Sequence, residues 1–200
     1  MSALVRPARR GDADRIAAIH AASWRRAYRG ILPRAYLSRL SPEVLLERWR
    51  RRLPVGARAA DDAPVWVVED CADDAPLGPG QVAGFAQLGP CHEPSDYVGF
   101  AGEVNMLYVD PTATGRGLGR ALLDRSCEVL AAREHYWLVI WVLARNQRGR
   151  RFYERADLRP DGGRRHDRFA GHEVTVLRYA KPLNPIIDFP GLIRGPRSLV

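Results

Sequence analysis

The sequence predicts a single α/β (α+β) domain, a mixed and mostly antiparallel sheet flanked by helices. Three observations predict it. The chain has 200 residues, 46% hydrophobic and 27% charged, which is the span and composition of one globular domain able to bury its own core. Its apolar periods change along the chain in the order strand, two or three helices, three strands, helix, strand, helix, two strands. Trp137 to Leu143 (WLVIWVL) is apolar on both faces, as a central strand covered by helices on either side must be.

Each element has a local cause. Ala3 to Pro7 is a short strand. In the helix that follows, Asp12 or Asp14 is the cap, and Ile16, Ile19, His20, Ser23, Trp24 and Ala27 recur at helical spacing until Gly30. His20 falls on the apolar side and reads as a core histidine. A short second helix follows Pro33. Ser41-Pro42 opens a third, with Ser as cap and Pro in the first turn, and Leu45, Leu46, Trp49 and Leu53 line one face. Residues 54–64 read as a polar loop. Val65 to Glu69 and Gln81 to Leu88 are strands, and the turn formers of DDAPLGPG between them predict an antiparallel hairpin. After a loop from Cys91 to Gly102, the strand Glu103 to Val109 stops at Asp110-Pro111, because proline has no N–H for the ladder. A glycine-rich turn then leads into a helix that buries Leu118, Leu122, Val129 and Leu130. Asn146 to Ala156 is a short helix, and two more strands fit around Leu158 and from Glu173 to Tyr179. Residues 1–181 form the domain. Residues 182–200 are a proline-rich tail whose Ile186, Ile187, Phe189, Leu192 and Ile193 predict docking on an apolar surface, its own or that of a second copy in a homodimer.

Composition removes several function classes. Lys plus Arg number 31 and Asp plus Glu 23, a net charge of +8. That balance suits an anionic partner, and it suits equally a plain bias toward arginine, since Lys181 is the only lysine. One lysine argues against a Walker-type phosphate loop and a Schiff-base enzyme. Cys71, Cys91 and Cys127 are odd in number and far apart, which argues against a disulfide framework and a structural zinc. The histidines never fall at metal-ligand spacing, so no metal is expected. The longest apolar run, Tyr136 to Ala144, is too short to span a bilayer, and the N-terminus carries no signal-like core. A soluble, cytoplasmic protein without a membrane partner is expected.

The chemistry concentrates between Asp110-Pro111 and the next helix, in Thr114-Gly115-Arg116-Gly117-Leu118-Gly119-Arg120. Glycines let a ligand approach the main chain, and the first helical turn leaves amide N–H groups unpaired. These N–H groups and the helix dipole suit a pyrophosphate, and Arg116 and Arg120 add charge. A dinucleotide fingerprint fits poorly, because its third glycine would fall on Arg120. Downstream, a buried strand leads into Asn146-Gln147-Arg148-Gly149-Arg150-Arg151-Phe152-Tyr153-Glu154.

With LYVDPTATGRGLGRALL (Leu107 to Leu123) and NQRGRRFYERADL (Asn146 to Leu158) in this order, the chain resembles the GNAT superfamily of acetyl-CoA-dependent N-acetyltransferases over residues 3–181. The resemblance implies a sheet whose central strands splay, with pantetheine in the gap beside Leu107, Tyr108 and Val109. It implies that the glycine turn holds the CoA pyrophosphate, that Asn146 bonds the pantetheine, and that Arg150 is among the arginines meeting CoA phosphates. It places Tyr153 near the thioester sulfur and a backbone N–H of the Met106 to Tyr108 region at the oxyanion. The sequence departs from the family pattern at Thr114 (usually Gln or Arg), at Gly149 (usually Ala) and at Asp157-Leu158 (usually Gly-Phe). Gly149 is expected to open room for the cofactor.

Acetyl transfer needs a neutral amine, a polarised carbonyl and a proton for the thiolate. Tyr153 is the candidate proton donor, and Glu103 the candidate base, acting directly or through water. The acceptor, an unidentified primary amine or a peptide N-terminus, would meet Trp24, Tyr28 and Tyr97, with Tyr36, His92, Asp96 and His166 nearby. Two other readings stay open. One is a non-catalytic acyl-CoA sensor. The other is a nucleic-acid binder using Arg145, Arg148, Arg150, Arg151 and Arg155, although that strip lacks interleaved stacking aromatics and no nucleic-acid partner is expected.

Overall fold

The computed structural model describes residues 3–53, 65–91 and 100–183. Its elements are β1 (Ala3–Pro7), α1 (Ala13–Ala27), α2 (Arg34–Arg39), α3 (Pro42–Arg52), β2 (Val65–Asp70), β3 (Gln81–Pro90), β4 (Ala101–Val109), α4 (Leu118–Ala132), β5 (Trp137–Leu143), α5 (Gln147–Arg155), β6 (Arg159–Phe169) and β7 (His172–Pro182). The strands form one seven-stranded sheet in the order β1-β2-β3-β4-β5-β7-β6. Every neighbouring pair is antiparallel except β4 and β5, which are parallel. The mixed, mostly antiparallel sheet expected from the sequence is therefore present.

Helices cover both faces. On one face α1 and α3 bury Ile16, Ile19, Leu45 and Trp49 against Val67 and Phe85. On the other, Leu118, Leu122 and Leu130 of α4 pack with Val68, Ala86, Leu138 and Ile140. Ser41 caps α3, its Oγ accepting from Val44 N at 3.4 Å. Asp12 sits at the N-cap position of α1, but its carboxylate is taken by the Arg9 N–H at 2.7 Å and by Arg6.

The sheet opens where β4 and β5 meet. They pair only from Ala101 to Glu103 with Trp137 to Val139, although both strands run on. The separation begins at a bulge. Leu88 of β3 faces Val104 and Gln87 faces Met106, so Asn105 is an extra residue in β4. A bulge bends its strand and reverses which side chains face which side. Val104 thus points to the α4 core, whereas Met106 and Tyr108 point to the α1 face.

Several strands run longer than expected. β4 starts at Ala101 rather than Glu103. β6 is 11 residues long, where the sequence suggests only a strand near Leu158. None of its residues is buried, so this charged edge strand carries no apolar alternation to read.

Candidate active site

The splay between β4 and β5 is the floor of a cleft of about 450 Å³. Its walls are the C-terminal half of α1, the turn from Pro111 to Gly119, and the start of α5. The turn is held from several sides. Asp110 Oδ1 accepts from Thr112 N at 2.9 Å and Thr112 Oγ1 at 2.6 Å, and its other oxygen pairs with Arg15 at 2.7 Å. Ser23 of α1 donates to the Val109 carbonyl at 3.0 Å, at the end of β4. These bonds hold the Asp110 carboxyl below the usual carboxylate range against the opposing effect of burial.

Gly115 and Gly117 have φ of 86° and 71°, a left-handed backbone that other residues adopt only at a cost. Gly117 occupies the N-cap position of α4, and the first helical bond there is Ala121 N to Gly117 O at 3.0 Å. The N–H groups of Leu118, Gly119 and Arg120 therefore precede the helical ladder at the cleft wall. A Cβ added to Gly115 would meet nothing within 4 Å, so the main chain there is open to a ligand. Arg120 lines the cleft and is shared with Asp124 at 2.8 Å.

At the opposite wall, Asn146 caps α5, its Oδ1 accepting from Gly149 N at 3.0 Å. Gly149, expected to open room for the cofactor, lines the cleft, and a Cβ on it would also lie 2.7 Å from Asn146 Nδ2. Tyr153 follows one helical turn later, packed on Phe152. Burial, and then the neighbouring Tyr28, push its hydroxyl pKa well above the ordinary value. Tyr28 and Tyr108 are raised as well, in both cases mainly by burial. All three phenols are protonated at neutral pH.

This arrangement gathers free amides at a helix start, a slot between two strands, and a protonated phenol on one surface. A profile of the acetyltransferase (GNAT) family matches residues 21–157. The chain belongs to the GNAT family. The uncharacterized N-acetyltransferase YuaI of Bacillus subtilis is 31% identical over 142 residues, 71% of this chain and 72% of that protein. The PaiA N-acetyltransferase of Thermoplasma acidophilum, solved in complex with coenzyme A, shares the fold with a TM-score of 0.60 and 20% identity, covering 91% of this chain and 99% of that one. YncA of Salmonella typhimurium, solved with its cofactor acetyl-CoA, does so with a TM-score of 0.62 and 18% identity over 92% of this chain and 95% of that one.

Within this GNAT fold the predicted residues divide. Leu107, Tyr108, Val109, Thr114, Gly115, Gly117, Leu118, Gly119, Arg120, Asn146, Tyr153 and Tyr28 all line the cleft. Four others do not. Arg116 turns to the far side of the turn, where it bonds Asp70 at 2.7 Å and pairs with Asp74. Arg150 bonds the Tyr179 hydroxyl at 3.0 Å and the Ala144 carbonyl at 3.3 Å. Glu103 is buried at the last paired position of β4, its Oε1 accepting from Asn105 Nδ2 at 2.9 Å. Trp24 packs behind Tyr28 among Tyr36 and Phe169. His166 is exposed on the β6–β7 hairpin beside Glu173. His92, Asp96 and Tyr97 lie outside the described residues, as does the tail beyond residue 183.

The sequence reading missed Ser23, Arg26 and Trp141 as cleft residues and named Arg148, which also lines the cleft, only within the arginine strip. Ser23 had a signal, as a polar residue on the apolar face of α1. Trp141 had none, because every residue of its strand is apolar. Among the described residues no cluster of His, Cys, Asp and Glu is placed to hold a metal, and no helix is long and apolar enough to cross a membrane.

Proposed function

We propose that this GNAT protein transfers an acetyl group from acetyl-CoA directly to a primary amine of a small molecule or peptide N-terminus. One observation carries the reading: the glycine turn, the open β4–β5 gap, Asn146 and Tyr153 all line a single cleft. Pyrophosphate would meet the N–H groups of Leu118, Gly119 and Arg120, with Arg120 and Arg148 as nearby cations. The pantetheine arm would lie along Leu107 to Val109, whose backbone has lost β5 as a ladder partner, and would reach Asn146.

In this reading the amine attacks the thioester carbon, and charge develops on the carbonyl oxygen against a β4 N–H. As the tetrahedral intermediate collapses, the C–S bond breaks and Tyr153 gives its proton to the sulfur. Burial keeps the phenol protonated at neutral pH, so the proton is in place when the thiolate forms. The amine proton leaves through water to Glu103. No carboxylate of the described residues lines the cleft, and Glu103 is held by Asn105, which does line it. The acceptor would approach from the Tyr28 and Trp24 side, with Tyr97 as a further contact.

Calorimetric titration with CoA tests the assignment. Gly117→Val places a β-branched residue at a φ of 71° and should abolish binding while the far-UV spectrum is kept. Wild-type affinity in that variant would remove the pyrophosphate site from this turn.

A further inference from the structure

The glycine turn lacks the internal bonds that fix most tight turns. Among the described residues, the main chain of Thr114, Gly115 and Arg116 makes no hydrogen bond. Thr114 is tied through its hydroxyl, which donates to the Pro111 carbonyl at 3.2 Å. Gly115 and Gly117 flank Arg116, and glycine leaves the chain more conformations than any other residue. Free amides suit a ligand, but a loose turn must be ordered when the ligand arrives, and that ordering costs affinity.

The Arg116 side chain supplies the missing tie. Its Nε donates to Asp70 Oδ2 at 2.7 Å, and its two terminal nitrogens meet the two oxygens of Asp74 at 3.3 and 2.5 Å. The two partners differ in weight. The Asp74 side chain is 79% exposed, and a pair so open to water contributes little. The Asp70 side chain is 4% exposed, and no other cation pairs with it among the described residues. Its second oxygen accepts from Ala72 N at 3.3 Å. Asp70 is itself fixed, at the end of β2 between Ala3 of β1 and Gln81 of β3. A rigid position in the sheet thus reaches the centre of the turn from 46 residues away.

We propose that Asp70 is a positioning residue for CoA: through Arg116 it holds the glycine turn in the shape whose amides receive the pyrophosphate. The inference rests on the reading of the cleft as the acetyl-CoA site. In it Arg116 meets no phosphate. Its charge is taken by carboxylates on the far side of the turn, and what it gives the ligand is order. Asp70→Asn therefore weakens CoA binding. A simple charge argument predicts the opposite sign, because removing an acid near the turn would favour an anionic ligand.

Nitrogen-15 relaxation of the free protein reads the tie without any ligand. The order parameters of Gly115, Arg116 and Gly117 should fall from about 0.85 in the wild type to below about 0.6 in Asp70→Asn. In calorimetric titration with CoA, Asp70→Asn and Arg116→Gln should each bind about ten-fold more weakly, since one more residue must be fixed on binding. The double variant should be no weaker than either single one, because both break the same link. Arg116→Gln should leave the salt dependence of CoA affinity unchanged, because no phosphate-binding charge is lost. If Asp70→Asn does not fold, the relaxation and salt measurements on Arg116→Gln carry the test. Unchanged order parameters would overturn the proposal, and so would tighter CoA binding by Asp70→Asn. Losses that add in the double variant, or a flatter salt dependence in Arg116→Gln, would also overturn it by giving Arg116 to a phosphate. Failure of the wild type to bind CoA would overturn the cleft reading itself, and this inference with it.

Discussion

An alanine at Gly149 would set its Cβ 2.7 Å from Asn146 Nδ2, so the side chain that caps α5 would have to shift. Gly149→Ala should gain about 1 kcal/mol of helix propensity and lose about the same from the displaced cap. The melting temperature should therefore barely move, while CoA affinity falls about ten-fold, the worth of one displaced hydrogen bond. Calorimetry on one sample measures both. Tyr153→Phe should lower kcat with little change in acetyl-CoA affinity, because only the hydroxyl is removed. Wild-type turnover with a good acceptor would make Tyr153 structural. His20 gives a pH prediction. Burial lowers its pKa from 6.5 to about 4, with Arg48 and Arg52 adding to the effect. The unfolded chain takes up the proton first as pH falls. Stability is thus full above pH 6.5 and declines toward pH 4, by about 3 kcal/mol in all. The melting temperature should drop by roughly 6–12 °C across that window. His135, also lowered by burial, adds a smaller share. His20→Phe should flatten the slope, and an unchanged slope would place the titration elsewhere. At this scale the turn glycines, Asn146 and Tyr153 were legible because their spacing is the signal. Arg116 and Arg150 lie off the cleft, which was not legible, because sequence gives a charge's position along the chain and not the partner its long side chain reaches. Asp70 and Tyr179 claim them from 46 and 29 residues away.

The elements that shape the cleft were less legible than the residues that line it. The bulge at Asn105 depends on how β4 aligns with Gln87 and Leu88 of another strand, and EVNMLYV alone has no mark of it. Without that one-residue slip Tyr108 would face α4, and the Tyr28–Tyr108 contact could not form. The β6–β7 hairpin was hidden for another reason. Its outer strand is charged and unburied, and it is shaped by a second irregularity between Pro160 and Arg164. Asp161, within that stretch, bonds Arg178 of β7 at 2.6 Å, with the two side chains only 10% and 9% exposed. The Arg178 guanidinium lies 5.7 Å from the centre of the Trp141 ring, a cleft wall. Asp161→Ala should cost about 3 kcal/mol, since it strips a buried cation of this carboxylate. Urea unfolding would measure the loss, and a change below about 1 kcal/mol would mean that water reaches the pair.

For the whole molecule, the order of elements led from sequence to the right fold, because a hairpin, a glycine turn and a doubly apolar strand in sequence admit few sheets. The splay itself is a property of the assembled sheet. β4 is held to β3 along its length and to β5 over three residues, and the gap so formed is closed at its ends by the glycine turn and α5. The raised phenol pKa values predict that turnover has no alkaline loss from tyrosine ionisation below about pH 10, which a pH–rate profile of kcat would check. The central claim is acetyl transfer to an amine in this cleft. Its most direct test is release of free CoA thiol from acetyl-CoA against a panel of primary amines and peptides, with the products weighed by mass spectrometry. The account predicts amine-dependent thiol release and an N-acetylated product for at least one acceptor, both lost in Gly117→Val. Tight acetyl-CoA binding with no amine-dependent release across the panel would contradict it and leave a protein that holds the thioester without using it.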